Sequence, residues 1–136
     1  MKIIPVTCAV IISGYKILAV RRSDQMPLAG CWEFPGGKVE NGENNDDCLR
    51  REIREELKIE VEIGKALPIS EYSYEERKMI RLIPFLTQIK TGEITLLEHD
   101  TYRWLGVNEL FEVNWALADI PIVKHLEENW SALITD

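Results

Sequence analysis

The chain has 136 residues, which suits one domain, 1–136, and 46% of them are hydrophobic, enough for a single core. Its formal charge is −7, from 16 basic and 23 acidic residues, which excludes passive binding to a nucleic-acid polymer. A small phosphorylated ligand is not excluded, because a bound cation inverts the local field. The cysteines Cys8, Cys31 and Cys48 are odd in number and widely spaced, which fits neither a disulfide framework nor a zinc pattern. They read as reduced thiols in a cytoplasmic protein, with Cys8 packed as a small apolar residue.

Taken in chain order, the apolar run 3–12 is interrupted by Pro5 and Thr7 and is followed by no cleavage site. It reads as a strand rather than a secretory leader, turned by Ser13-Gly14-Tyr15 into a second strand, 16–21, as a buried hairpin. No stretch is long enough to cross a membrane. Phe34-Pro35-Gly36-Gly37 makes a tight turn ahead of a helix over 45–57. Asn44 or Asn45 is its N-cap, and Asp46 and Asp47 fall in the first turn, where the helix dipole favours anions. Further strands are expected at 61–63, 69–74, 79–89, 94–97 and 103–105, and a helical turn at 107–111. A second helix runs from about 120 to 130, with Asp119 as a natural N-cap and Pro121 near its start. Strands and helices mix without regular βαβ alternation, so the expected class is α+β, a mixed α/β/α sandwich.

The helix over 45–57 carries the chemistry. At about 100° per residue, Glu52, Glu55 and Glu56 lie within an arc of roughly 100°. Like charges three and four residues apart repel, so something must neutralise them. One reading is a solvated face paired with Arg50, Arg51 and Arg54. The other is a divalent cation held by the carboxylates and by a carbonyl of the glycine turn, a hard oxygen donor set that suits magnesium. The Gly-Gly turn just upstream favours the second.

Residues 37–59 resemble the Nudix box, Gly-x5-Glu-x7-Arg-Glu-U-x-Glu-Glu-x-Gly-U, where U is aliphatic. Gly37, Glu43, Arg51, Glu52, Ile53, Glu55, Glu56 and Ile59 match in register. Six identical letters arise by chance with a probability on the order of 10⁻⁸ per start position. One position departs: Lys58 stands where the pattern has glycine. If the backbone there is left-handed, the lysine costs about 1 kcal/mol.

The resemblance implies a Nudix fold, a mixed sheet between helices with a catalytic loop-helix-loop, and hydrolysis of a nucleoside diphosphate linked to another group. It implies Mg2+, with Mn2+ as a substitute and two or more ions when substrate is bound. The Gly36 carbonyl, Glu55 and Glu56 would bind metal, and Glu52 would bind metal or act as general base. Arg51 would orient a carboxylate, while Gly37 and Glu43 would shape the loop. Glu98 is the best candidate for the further carboxylate that family members supply from a distant loop. Its neighbour His99 reads as an exposed loop residue.

Arg21-Arg22, the run 32–40 and Leu117-Ala118-Asp119-Ile120-Pro121 are similar to the MutT branch and its CTP pyrophosphohydrolase relatives. That similarity implies a nucleoside triphosphate substrate, cleaved to a monophosphate and pyrophosphate. Candidates are 8-oxo-dGTP, in nucleotide-pool cleaning and DNA repair, and CTP, dCTP or a modified pyrimidine triphosphate. Dinucleoside polyphosphate or ADP-ribose hydrolysis, or nucleotide sensing without hydrolysis, are alternatives. Asp119 would accept from the base or serve only as a cap. Arg22 would contact phosphate or sugar, or remain a solvated strand end. Phe34 would line the base pocket or the core, and Trp32, Trp104, Trp115 and Trp130 would pack. Expected partners are the nucleotide alone, without nucleic-acid polymer or membrane, in a monomer or homodimer.

Overall fold

A computed structural model describes residues 1–135. Its frame is the long strand β1 (Lys2–Ser13) running parallel to β7 (Lys78–Thr91) over ten paired positions, from Lys2 with Lys78 to Ile11 with Thr87. β2 (Lys16–Arg21) returns antiparallel to β1 through a two-residue turn in which Gly14 and Tyr15 both have positive φ. Both central residues at positive φ define the turn whose twist matches a hairpin. β3 (Trp32–Glu33) and β8 (Thr101–Leu105) lie antiparallel to β2, and β5 (Glu60–Ala66) and β6 (Ser70–Glu75) are antiparallel to β7. β4 (Gly36–Lys38) pairs antiparallel with β1, Cys8 opposite Gly36.

Strand alternation places a core on each side of this mixed sheet. Cys8, Val10 and Ile12 of β1 point to one core, and Ala9 and Ile11 to the other. The second core is closed by α1 (Asn45–Leu57) through Leu49, Ile53 and Leu57. The first is closed by α2 (Ile120–Glu128) through Ile122, Val123 and Leu126. The expected α/β/α sandwich is what forms. No helix among the described residues is long and apolar enough to cross a membrane.

Several boundaries differ from the sequence expectation for physical reasons. Residues 94–97 do not form a strand. The Thr95 and Leu97 N–H groups instead donate to the Leu57 and Glu56 carbonyls at 2.9 and 3.1 Å. Helix ends leave such carbonyls without intrahelical partners, and here the loop satisfies them. The second helix ends at Glu128, and a separate turn, α3 (Trp130–Leu133), follows Asn129. The helical turn over 107–111 is a 3-10 segment, Val107–Glu112. The short strands β3 and β4 were invisible to hydrophobic periodicity, being two and three residues long; β4 takes up Gly36 and Gly37, expected in a tight turn, because they pair with Cys8 and Thr7 of β1, and only a bend remains at Pro35.

The ends of α1 follow their local chemistry. The Asn44 side chain accepts from the Asp47 N–H at 2.8 Å, which makes Asn44 the N-cap. Lys58, at φ 58 and ψ 38, is left-handed and closes the helix by donating its N–H to the Arg54 carbonyl. The glycine of the Nudix pattern is thus replaced by a lysine that keeps the glycine conformation.

Candidate active site

Between α1, β4 and the start of α2 lies a cavity of about 650 Å³. Its polar side chains include Glu33, Glu52, Glu56 and Glu98, and also Arg22 and Asp119. Gly36, Gly37 and Phe34 also contribute to the wall. The sequence expectation therefore converges here for all its candidates except Arg51, Glu43 and Glu55, which do not line the cavity.

Those three form the support behind the wall. Arg51 donates Nε and Nη2 to the two oxygens of Glu43 at 2.7 and 2.9 Å, a bidentate pair. Its Nη1 reaches Glu52 Oε1 at 2.8 Å and Glu55 Oε2 at 3.3 Å, and Nη2 also donates to the Lys38 carbonyl. Glu43 Oε1 in turn accepts from the Glu40 N–H. One guanidinium thus joins the turn, the helix and three carboxylates, and its hydrogen bonds hold the Glu43 carboxyl down at about 2. Glu55 is spent on Arg51 and its side chain is 58% exposed.

Glu52 is pressed against β4 at Gly37. A Cβ built on Gly37 would stand 2.6 Å from Glu52 Oε1 and nearer still to Cδ and Oε2. Glycine at 37 therefore makes room for that carboxylate. Gly36 makes room for backbone: a Cβ there would meet the Thr7 carbonyl and lie 2.7 Å from Cys8 Cα.

Glu56 is buried, and its Oε1 has no hydrogen-bond partner. Burial pushes its carboxyl well above the ordinary range, and the charges of Glu33, Glu98 and Glu52 push the same way. A buried carboxylate crowded by three others and relieved by no bond fits a divalent cation, as does the all-oxygen character of the set. Among the described residues no three His, Cys, Asp or Glu side chains are already gathered into a cage.

Asp119 is buried at the other side of the cavity. It holds the N-cap position of α2, as expected, but its side chain makes no cap hydrogen bond. Its Oδ2 instead accepts from the Phe34 N–H at 2.9 Å, tying the start of α2 to the glycine turn. Burial, then the charge of Glu33, pushes its carboxyl well above the usual range. The segment before it is held by β6: Ser70 Oγ donates to the Ala118 carbonyl at 2.7 Å, and the Ala118 N–H donates to Tyr74 Oη at 2.8 Å. Phe34 both lines the cavity and packs against Trp115 in a tilted pair, with ring centroids 4.7 Å apart. None of the four tryptophans lines it.

Two residues of the site were misjudged or missed in the sequence. His99, expected on an exposed loop, is buried, with Nε2 2.8 Å from Glu33 Oε2. Glu33 was not singled out, yet it also accepts from Arg22 Nη1 at 2.8 Å, and Arg22 donates Nε to the Pro27 carbonyl at 2.5 Å. Arg22 is therefore an ion-paired residue of the wall and not a solvated strand end. No local spacing links Glu33, Arg22 and His99. Only the pairing of β2 with β3 and the placement of the loop after residue 94 bring them together.

A mixed sheet between α1 and α2, with a glycine turn and glutamate helix at one cavity, defines the class of nucleotide-hydrolase folds to which the box pointed. The family model for the NUDIX domain matches residues 2–126. The chain is 36% identical over 124 residues to the CTP pyrophosphohydrolase of Escherichia coli K12, covering 91% of each chain. It is 37% identical over 98 residues to an 8-oxo-dGTP diphosphatase of Buchnera aphidicola from Acyrthosiphon pisum, covering 72% of this chain and 78% of that one. The solution structure of the E. coli ORF135 protein superposes with a TM-score of 0.84 at 33% identity, over 100% of this chain and 96% of the other. The protein belongs to the Nudix family and is a Nudix hydrolase. Nudix hydrolases generally use divalent metal ions.

Proposed function

We propose that this protein is a magnesium-dependent nucleoside triphosphate pyrophosphohydrolase, which brings water to the α–β phosphoanhydride and releases a nucleoside monophosphate and pyrophosphate. The observation that carries the reading is the buried Glu56 carboxylate, crowded by Glu33, Glu52 and Glu98 in a cavity of nucleotide size. Glu52, Glu56 and Glu98, with the Gly36 carbonyl, are the residues that would hold the cation. Glu55 would join them only by leaving Arg51. A divalent ion, Mg2+ or Mn2+, supplies neutralisation of the phosphates and a more acidic water, and two or more are expected with substrate.

The chain's own groups do the rest. Glu52, aligned by Arg51 Nη1, takes the proton of the attacking water on its carboxylate, and Glu98 is the second candidate for that proton. Glu43 and Arg51 keep the turn and the helix in one register, so that the carboxylates face the cavity together. Asp119 reads the base. An ionised carboxylate accepts from an exocyclic amine, which suits cytosine, and CTP or dCTP is accordingly the first candidate, in line with the E. coli relative. Because burial favours the neutral form of Asp119, the carboxyl can also donate, which suits a guanine edge carrying both a carbonyl and N–H groups. That property, with the Buchnera relative, supports 8-oxo-dGTP as the second candidate.

The test is pyrophosphate release from CTP, dCTP, 5-methyl-dCTP and 8-oxo-dGTP, and AMP formation from ADP-ribose, with magnesium and with chelator. Turnover of a triphosphate is expected only with the metal, and Glu56→Gln should remove it while the protein stays folded. Normal turnover by that variant would sink the assignment.

A further inference from the structure

We propose that His99 is a positioning residue whose buried imidazole, fixed by Glu33, sets the Glu56 carboxylate for a divalent cation. The proposal rests on the metal reading above. Among the described residues, the buried side-chain polar atoms without a hydrogen-bond partner are Glu56 Oε1 and His99 Nδ1. They face one another at 3.8 Å, too long for a hydrogen bond. Buried polar atoms are nearly always satisfied, and two that are not, on the cavity-lining Glu56 and on His99 beside it, mark a functional arrangement. A histidine serving only to fill space would leave neither atom wanting, because an apolar side chain fills the same volume without the desolvation cost.

The imidazole is held from both sides. Its Nε2 is fixed on Glu33 Oε2 at 2.8 Å, and the other Glu33 oxygen is fixed by Arg22. Ahead of it, the Leu97 N–H is bound to the carbonyl of Glu56 itself. Behind it, the Asp100 N–H donates to the Arg21 carbonyl at 3.1 Å, and Arg21 Nη1 reaches Asp100 Oδ2 at 3.1 Å. The side chain of His99 is 1% exposed, so the ring cannot swing away. Glu56 Oε1 thereby lies beside a fixed ring, in the side chain that lines the cavity. Groups that orient metal-binding side chains commonly set metal affinity as strongly as they set packing.

The experiment is Mn2+ binding to the nucleotide-free protein, followed by the electron paramagnetic resonance of free Mn2+, alongside thermal melts. His99→Leu should weaken Mn2+ binding by about 10- to 100-fold with the melting temperature held or raised. Glu33→Gln, which keeps the shape of the side chain, should weaken it in the same direction, by about tenfold. A lowered melting temperature with a Mn2+ Kd unchanged within about twofold would make His99 merely structural and overturn the proposal. Loss of fold in both variants would do the same. Absence of Mn2+ binding by the wild-type protein would instead overturn the metal reading itself, so the two failures are distinguishable.

Discussion

Gly37→Ala isolates the position of one carboxylate. The new Cβ would stand 2.6 Å from Glu52 Oε1 and closer to Cδ and Oε2, whereas carbon–oxygen contacts ordinarily begin at about 3.3 Å. The backbone at 37 has no positive φ, so alanine brings no conformational strain of its own. The clash falls on the far end of a flexible side chain, and Glu52 must retreat by about 1 Å or turn away from Arg51 Nη1, its partner at 2.8 Å. A misplacement of that size at a reacting group costs on the order of 10²-fold in rate, equivalent to about 2.7 kcal/mol of transition-state stabilisation. The expected result is a kcat/KM for the best triphosphate of the panel about 100-fold lower, with a melting temperature within a few degrees of wild type. Gly36→Ala is the contrast. Its Cβ meets the Thr7 carbonyl and Cys8 Cα, backbone that is locked in the β1–β4 pair, so the protein should lose stability rather than turnover alone. Turnover of Gly37→Ala within threefold of wild type would refute the placement of Glu52 against β4.

Three further outcomes are expected. Lys58→Gly relieves a non-glycine residue at φ 58 and should stabilise the fold by about 1 kcal/mol, read as a melting temperature raised by roughly 3–5 °C with activity kept; a lowered melting temperature would rule out the strained cap. Glu43 is held at about 2 by Arg51, so its contribution to stability is complete above its ordinary value of 4.5 and is lost as pH falls from there towards about 2. The melting-temperature gap between wild type and Glu43→Gln should therefore narrow between pH 6 and pH 3, and a constant gap would contradict the pairing. Asp119 has a raised carboxyl, so the folded state loses stability as pH climbs above 3.8 through the raised value. Asp119→Asn should accordingly gain more in melting temperature at pH 8 than at pH 5 and change the ratio of kcat/KM between CTP and 8-oxo-dGTP. Unchanged ratios would leave Asp119 with only its bond to the Phe34 N–H.

The most legible part of this protein was the helix over 45–57, because everything that defines it is local. Its cap, its acidic first turn and its clustered glutamates follow from helix geometry alone. Even the left-handed Lys58 was foreseeable, from the one letter that departs from the box. Less legible were features that borrow their partners from afar. Residues 94–97 have strand-like composition, yet their N–H groups are taken by the carbonyls at the end of α1. Asp119 stands where an N-cap is expected, yet its carboxylate is taken by Phe34, 85 residues away. His99 sits in a polar stretch that reads as exposed, yet it is enclosed between Glu33 and Glu56.

What the sequence by itself determined, then, was the chemistry that depends on local spacing: a glycine, an arginine and four glutamates in a register that names the family. Which of those glutamates face the cavity was decided by the fold. Glu52 and Glu56 do, while Glu55 pairs with Arg51 outside it. Only the tertiary structure could add Glu33 and His99, because strand pairing and loop docking bring them together across 66 residues and leave no period in the sequence.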